Sequence, residues 1–162
     1  MGEEEKNAPN IWEFLRPEAI LQRLKEKEKE QAIEELVARM AEVGLVPDKA
    51  RTLQSVLARE RMMSTGIGEG VAIPHAKDDL ITQPLIAFGF SKEGIPFESV
   101  DGRKVHLIFL LLSPKSDPTG YIKFLGKIAR LLDNRDLRES LKKAQSPQDV
   151  IAIVKAAEEN LP

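Results

Sequence analysis

The sequence Ser64-Thr-Gly-Ile-Gly-Glu-Gly-Val-Ala-Ile-Pro-His75 separates two parts of the chain that differ in hydrophobic periodicity. Its glycines, at positions 66, 68 and 70, allow tight turns and close backbone approaches that other residues resist. Pro74 fixes the backbone directly before His75. This stretch therefore predicts a glycine-rich loop that leads into a short extended segment ending at His75.

Upstream of this stretch, apolar residues recur at helical spacing. One helix is predicted from about 28 to 43, with Gly44 as its C-terminal cap. A second helix is predicted from Pro47-Asp48 to about Arg61. The alternating charges from Lys25 to Glu30 are typical of a solvated helix start. Residues 19–24 are compatible with either a strand or a helix.

Downstream, two apolar runs predict strands at Leu85–Phe90 and at Val105-His-Leu-Ile-Phe-Leu-Leu-Leu112. Helices are then predicted to begin at Asp117-Pro118, at Asn134 and at Ser146-Pro147. The apolar positions predicted to face inward from the first of these helices are Ile122, Leu125, Ile128, Ala129 and Leu132. Together these elements predict an α/β fold in three layers: a mixed central β-sheet with helices on both faces.

The length of 162 residues suits one domain. Residues 1–10 are polar and end in Pro9-Asn10, so they are predicted to form a flexible tail. Residues 11–162 are predicted to form the domain, without an internal repeat or linker. The apolar residues that open it are predicted to anchor the chain; they are Ile11, Trp12, Phe14 and Leu15.

The composition excludes several classes of function. Lys and Arg number 24 against 26 Asp and Glu, so no electrostatic case exists for binding nucleic acid or an anionic membrane. Cysteine is absent, which excludes thiol catalysis and cysteine-ligated metals. No apolar run reaches the ~18 residues of a membrane-spanning helix, and the acidic start is unlike a secretory signal. A cytoplasmic protein without membrane insertion is therefore expected.

The chain has two histidines, and their contexts differ. His106 lies inside an apolar strand, where a structural role is typical. His75 follows proline and a glycine-rich segment, where the backbone can approach a ligand closely. The glycines do not form a dinucleotide fingerprint, because they follow a helix and precede a strand. A metal site is not expected, because His75 has no His or Cys partner at ligand spacing. A Ser-His-Asp triad has no nucleophile-elbow motif to support it.

The longer stretch Ala58-Arg-Glu-Arg-Met-Met-Ser-Thr-Gly-Ile-Gly-Glu-Gly-Val-Ala-Ile-Pro-His-Ala-Lys77 resembles the active-site signature of a known family. That family comprises the enzyme IIA domains of the bacterial phosphoenolpyruvate-dependent sugar phosphotransferase system, in their fructose–mannitol class. The resemblance continues through Gly94-Ile-Pro-Phe97, Val100-Asp-Gly102 and Ala129-Arg-Leu-Leu132, and it covers roughly residues 11 to 157.

The resemblance implies a phosphocarrier without a cofactor. By resemblance, His75 accepts a phosphoryl group from an HPr-type phosphocarrier protein, and Arg59 lies in the same site. A neutral imidazole is a competent nucleophile near neutral pH, and a guanidinium suits phosphoryl oxygens. Thr65, Gly66 and Gly68 are candidates for a phosphoryl-binding loop, since backbone N–H groups of glycine-rich loops bind anions.

One position departs from the family pattern. Many members carry a second histidine near the phosphorylated one, at the start of the helix after the central strand. The matching segment here is Asp117-Pro-Thr-Gly-Tyr-Ile-Lys-Phe-Leu125, and Tyr121 stands at that position. The tyrosine either takes part in the site or only packs at the helix start.

Three functions are compatible with these residues. The stretch Arg59-Glu-Arg-Met-Met-Ser-Thr-Gly-Ile-Gly68 is most similar to the nitrogen-regulatory branch of the family, which signals to partner proteins. The alternative is the IIA component of a fructose- or mannitol-type uptake system, which relays phosphate to an enzyme IIB. A third reading is a binding domain that has lost phosphorylation; the intact His75 and Arg59 argue against it, and Tyr121 keeps it open.

Overall fold

A computed structural model of the chain describes residues 9–161. The strands in this range are β1 (Leu15–Leu21), β2 (Gly66–Gly68), β3 (Val71–Ala72), β4 (His75–Asp78), β5 (Leu85–Ile95) and β6 (Val105–Pro114). They form one six-stranded sheet in the order β1-β5-β6-β3-β2, with β4 also paired to β6. β6 is antiparallel to β5 but parallel to β3 and β4, and β1 is parallel to β5. The sheet is therefore mixed, as the sequence predicted.

The helices in the same range are α1 (Ile11–Phe14), α2 (Lys29–Glu42), α3 (Lys49–Met62), α4 (Pro118–Leu132), α5 (Arg135–Lys143) and α6 (Pro147–Glu159). Four of them are preceded by a residue whose side chain accepts a hydrogen bond from the backbone N–H three residues further on. These N-caps are Asp48, Asp117, Asn134 and Ser146. Such caps satisfy amide groups that the helix leaves unpaired, which is why the predicted helix starts were accurate.

β6 divides the core into two halves. Ile108, Leu110 and Leu112 contribute to the cluster that includes the buried residues of α2 and Val56 of α3. Leu107, Phe109 and Leu111 contribute to the second cluster, with α1 and α4 to α6. Alternate residues of a strand point to opposite faces, so an unbroken apolar run is needed where helices cover both. The predicted three-layer α/β fold is thus confirmed.

The boundaries around His75 differ from the predicted ones. His75 begins β4 rather than ending an extended segment, and β3 stops at Ala72. Proline has no N–H to give to the sheet, so Pro74 separates two short strands that both run parallel to β6. The Pro74 carbonyl still accepts the N–H of Leu111 at 2.9 Å, which keeps the chain along β6.

Three further expectations are settled by the structure. Residues 15–21 form a strand, and the ambiguous 19–24 stretch falls at its end. Helix α2 begins only at Lys29, so most of the charged run precedes it. The inward position predicted for Ile122 is wrong, because this side chain is 66% exposed.

The predicted N-terminal tail lies mostly outside the described residues. The apolar anchor is confirmed at Ile11, which is fully buried in the second core cluster. None of the helices between residues 9 and 161 is long and apolar enough to cross a membrane.

Candidate functional site

His75 stands at the first position of β4, with only 8% of its surface exposed. Its Nδ1 lies 2.6 Å from the carbonyl oxygen of Ile73. A carbonyl oxygen can only accept a hydrogen bond, so Nδ1 must carry the proton and donate it. In the neutral ring, the lone pair is then on Nε2. The backbone thus selects which nitrogen of His75 is available as a nucleophile.

The surroundings of His75 favour the neutral imidazole. Burial is the main cause that lowers the pKa of His75 from its ordinary value of about 6.5, and the charge of Arg59 lowers it further. The hydrogen bond to Ile73 and the charge of Glu60 act in the opposite direction. Because the net direction is downward, the ring is neutral and nucleophilic at pH 7.

Arg59 lies in the last turn of α3, and its Nη1 donates to the carbonyl of Met63 at 2.9 Å. Its positive charge acts to lower the pKa of both His75 and Tyr121, so the electrostatic effect of the guanidinium reaches both rings. The structure thus brings together three residues that the sequence singled out from α3, β4 and α4.

Tyr121 occupies the first turn of α4, and its ring centroid lies 5.5 Å from that of His75. Burial raises the pKa of the Tyr121 hydroxyl, while Arg59 opposes that shift. The hydroxyl therefore remains neutral at physiological pH and is able to donate a hydrogen bond. Tyr121 stands next to His75, where the resemblance places the family's second histidine.

Lys77 is a charged neighbour that the sequence did not single out. Its Nζ lies 5.4 Å from the ring centroid of Tyr121, within range for a cation–π contact. Strand alternation could have identified Lys77 from the sequence. Residues two apart on β4 point to the same face, so Lys77 lies on the same face as His75.

The proposed phosphoryl-binding loop has a more local role in the structure. The N–H and the hydroxyl of Thr65 both donate to the buried carboxylate of Glu60, at 2.8 and 2.5 Å. The N–H of Gly66 donates to Ser64 Oγ at 3.1 Å. A Cβ at Gly66 would lie 2.2 Å from Ser99 Oγ, so glycine is required there for packing. These donors face inward, and a contact of this loop with a phosphoryl group stays a prediction.

Gly68 has a positive φ of 97°, a conformation that favours glycine. A Cβ at this position would also approach Asp101 and Val100 at 3.4 and 3.5 Å. The glycine spacing therefore shapes the turn of β2 and its contact with the loop before β6.

His106 is separate from this group. Its ring Nδ1 lies 2.8 Å from the carbonyl oxygen of Ser91, and its backbone N–H donates to the carbonyl of Gly70. Its position in β6 is five residues before Leu111, which pairs with His75. Across residues 9–161, no group of three or more His, Cys, Asp or Glu side chains is arranged to hold a metal ion.

Large apolar side chains are exposed on the segments next to the site. Met62 and Met63 follow Arg59 at the end of α3, and Ile122 follows Tyr121 in α4. Ile67 on β2 and Val100 in the loop before β6 are also exposed. We refer to these five residues as the apolar rim.

A small three-layer α/β domain with one shielded, neutral histidine beside an arginine is an arrangement suited to carrying an anionic group. Residues 13–157 match the family model described as phosphoenolpyruvate-dependent sugar phosphotransferase system, EIIA 2. The chain belongs to this family, which confirms the resemblance found in the sequence.

Relatives of both branches are equally similar to the chain. A nitrogen regulatory protein from Bradyrhizobium diazoefficiens is 37% identical over 144 residues, which cover 89% of this chain and 94% of that protein. The fructose-specific EIIABC component of Bacillus subtilis is also 37% identical over 144 residues. The match covers 89% of this chain but only 23% of the B. subtilis protein, so the chain spans less than a quarter of that relative's length.

The fold is shared with solved structures. The crystal structure of the nitrogen regulatory protein IIA-Ntr from Neisseria meningitidis superposes with a TM-score of 0.82 at 33% identity. The superposition covers 89% of this chain and 98% of that one.

Proposed function

We propose that this protein is a phosphohistidine carrier that receives a phosphoryl group on Nε2 of His75 from an HPr-type phosphocarrier protein. The observation that carries the proposal is the hydrogen bond between His75 Nδ1 and the Ile73 carbonyl, which leaves Nε2 as the only nucleophilic nitrogen of the ring. Membership of the EIIA family supports the same role.

The transfer exchanges one phosphorus–nitrogen bond for another. The lone pair of His75 Nε2 attacks phosphorus, and the bond from phosphorus to the donor's histidine breaks, with its electron pair returning to the donor nitrogen. The ring of His75 becomes an imidazolium whose Nδ1–H is still held by the Ile73 carbonyl. Arg59 provides charge-assisted hydrogen bonds for the phosphoryl oxygens, and Tyr121 provides a neutral O–H donor.

The apolar rim supports a carrier that works by contact with other proteins. Exposed large apolar side chains next to a site are typical of protein interaction surfaces. We propose that HPr docks there, and that a second protein meets the same surface after phosphorylation. In the regulatory hypothesis, that second protein is a regulatory target. This hypothesis is supported by the sequence from Arg59 to Gly68 and by the similarity to IIA-Ntr.

The second candidate is a sugar-uptake IIA that passes its phosphoryl group to an enzyme IIB. The equal identity to a fructose-specific relative supports it. Both candidates use the same phosphohistidine and differ only in the acceptor.

The direct test is incubation with enzyme I, HPr and phosphoenolpyruvate, followed by intact mass. One acid-labile phosphate per chain is expected, none in His75→Ala and a normal amount in His106→Ala. Labelling of the His75→Ala protein would refute the assignment. Transfer of the label to a fructose-type IIB would favour the sugar reading over the regulatory one.

A further inference from the structure

Glu60 is a buried carboxylate, directly beside Arg59, that the transfer step described above does not use. Only 4% of its surface is exposed. It accepts hydrogen bonds from the N–H and the hydroxyl of Thr65, and Lys29 Nζ lies 3.0 Å from its Oε2. A buried charge is costly unless it is paired and hydrogen-bonded, and here both conditions are met.

A series of hydrogen bonds, joined through the backbones of Thr65 and Ile73, leads from Glu60 to His75. Beyond Thr65, the path runs through the backbone: the Thr65 carbonyl accepts the N–H of Ile73 at 3.1 Å. The carbonyl of the same residue, Ile73, accepts the Nδ1–H of His75 at 2.6 Å. Glu60 thus fixes Thr65, and Thr65 in turn holds Ile73. Ile73 holds the ring of His75.

We propose that Glu60 is a positioning residue for phosphoryl transfer: acting through Thr65 and Ile73, it keeps the Nδ1–H of His75 on the Ile73 carbonyl and stabilises the imidazolium that forms when Nε2 is phosphorylated. This inference rests on the proposed phosphocarrier function. It assigns the buried carboxylate a role that resembles that of the acidic residue behind a catalytic histidine, although backbone groups intervene.

The charges around the ring support this assignment. The charge of Arg59 acts on His75, Lys77 contacts the neighbouring Tyr121, and the Tyr121 hydroxyl is neutral. Glu60 is the negative group that acts on His75 in the opposite sense to Arg59. Attack by Nε2 places positive charge on the ring, so a fixed negative charge on the far side of the Ile73 peptide lowers the energy of the transition state.

A matched control is present elsewhere in the molecule. Glu158 in α6 likewise accepts two hydrogen bonds, here from the backbone N–H groups of Ile11 and Trp12, and lies 3.0 Å from a lysine Nζ, that of Lys127. The side chains of both glutamates are 2% exposed. Glu158 therefore reproduces the burial and hydrogen bonding of Glu60 without a path to His75.

Two pairs of variants separate positioning from simple stabilisation. Glu60→Gln keeps the shape and removes the charge, and Glu158→Gln makes the same change at the control site. Thr65→Val removes the hydroxyl at nearly constant shape, whereas Thr65→Ser retains it. If Glu60→Gln does not fold, the Thr65 pair alone tests the chain of hydrogen bonds.

The first measurement is ¹⁵N NMR of the His75 ring across pH in the unphosphorylated proteins, which reports both tautomer and titration. In Glu60→Gln the titration of His75 should move to lower pH, since a negative charge has been removed. In Thr65→Val the share of ring with the proton on Nδ1 should fall. Thr65→Ser and Glu158→Gln should match the wild type.

The second measurement is the rate of phosphoryl uptake from phosphorylated HPr. Glu60→Gln and Thr65→Val should lower kcat, with KM for HPr unchanged. For Glu60→Gln, which removes a charge, the decrease should be about tenfold to a hundredfold. Thr65→Ser and Glu158→Gln should keep wild-type kcat. Wild-type ring spectra and kcat in both Glu60→Gln and Thr65→Val, or equal losses in Glu158→Gln, would overturn the inference. A wild-type protein that takes up no phosphate would instead refute the proposed function, while the ring spectra would still test the positioning role.

Discussion

The chemistry of His75 is set by a few neighbours that differ in their physical effect. Burial and Arg59 lower its pKa, whereas Ile73 and Glu60 raise it. The ring is therefore neutral before the proposed transfer, yet a carbonyl and a carboxylate would offset the cost of the positive charge that this transfer creates. Because the two charges act in opposite directions, substitutions of Arg59 and of Glu60 are expected to shift the pKa of His75 in opposite directions.

Replacement of Arg59 by alanine should leave the fold intact and slow phosphoryl uptake. A lost charge-assisted hydrogen bond is worth about 1.5–3 kcal/mol, or roughly a tenfold to hundredfold decrease in rate. Lysine should restore only part of the rate, because it lacks the bidentate geometry of a guanidinium. The Arg59 charge lowers the pKa of His75, so His75 should titrate at higher pH in Arg59→Ala. Stopped-flow phosphorylation kinetics with unchanged rate constants would show that Arg59 is only a helix-end charge.

Tyr121 is expected to act as a neutral donor. Tyr121→Phe should cost one neutral hydrogen bond, about 1 kcal/mol, because the phenylalanine ring preserves the contacts with His75 and Lys77. Tyr121→His should speed phosphoryl uptake and add a second pH-dependent step, since a histidine gains a charge near neutral pH. The rate for the wild type should fall in one step as pH drops below about 6.5, because the lowered pKa of His75 places its protonation there.

The check on Tyr121 is the phosphorylation rate as a function of pH for the wild type and both variants. Three matching profiles would show that the residue only packs at the start of α4.

At the scale of elements, short segments are held by side chains from distant parts of the chain. Helix α1 has only four residues, too few to be stable alone. Its Ile11 and Trp12 N–H groups donate to Glu158 of α6 at 2.8 and 2.7 Å. Helix α1 is thereby fastened to α6.

Removal of this contact should destabilise the domain without altering the site. In Glu158→Ala, Lys127 loses a buried charge partner and two backbone donors lose their acceptor, a change worth about 3–5 kcal/mol of unfolding free energy. The neighbouring Glu159 is exposed, and Glu159→Ala should change stability by less than about 0.5 kcal/mol. Urea unfolding measures both. Equal stability of the two variants would contradict the role given to Glu158.

At the scale of the whole molecule, the site and the exposed apolar residues occupy adjoining segments. Arg59 is followed by Met62 and Met63, and Tyr121 by Ile122. His75 itself is largely shielded, so in the proposed transfer a partner must fit closely around it. Recognition by this surface and chemistry at His75 should therefore be separable in kinetic measurements.

Met63→Ser or Ile122→Ser should raise KM for phosphorylated HPr by about fivefold to tenfold, with kcat nearly unchanged. Loss of an apolar contact to a partner is worth about 1 kcal/mol, and only binding is affected. Leu80 is 41% exposed but lies beyond the other end of β4, so Leu80→Ser should leave KM unchanged. Equal effects at Leu80 and at the two rim positions would remove the evidence for a specific docking surface.

Much of the architecture was determined by the sequence itself. Helix starts carried their own caps, as at Asp48 and Ser146, and the unbroken apolar run of β6 indicated a strand covered on both faces. These features depend on residues close together along the chain, so local chemistry is sufficient to predict them. His75 and Arg59 were found through a motif, and the family match confirmed the motif's origin.

Only the tertiary structure decided which groups surround His75 and what each of them does. Lys77, the inward-facing donors of Thr65 and the exposure of Ile122 follow from how β4, α3 and α4 pack. The proposed role of Glu60 depends on a path through Thr65 and Ile73, whose backbones are hydrogen-bonded although they lie eight residues apart in the sequence. Hydrogen bonds and electrostatic effects act over a few ångströms of space, and a single sequence does not state which distant residues come that close.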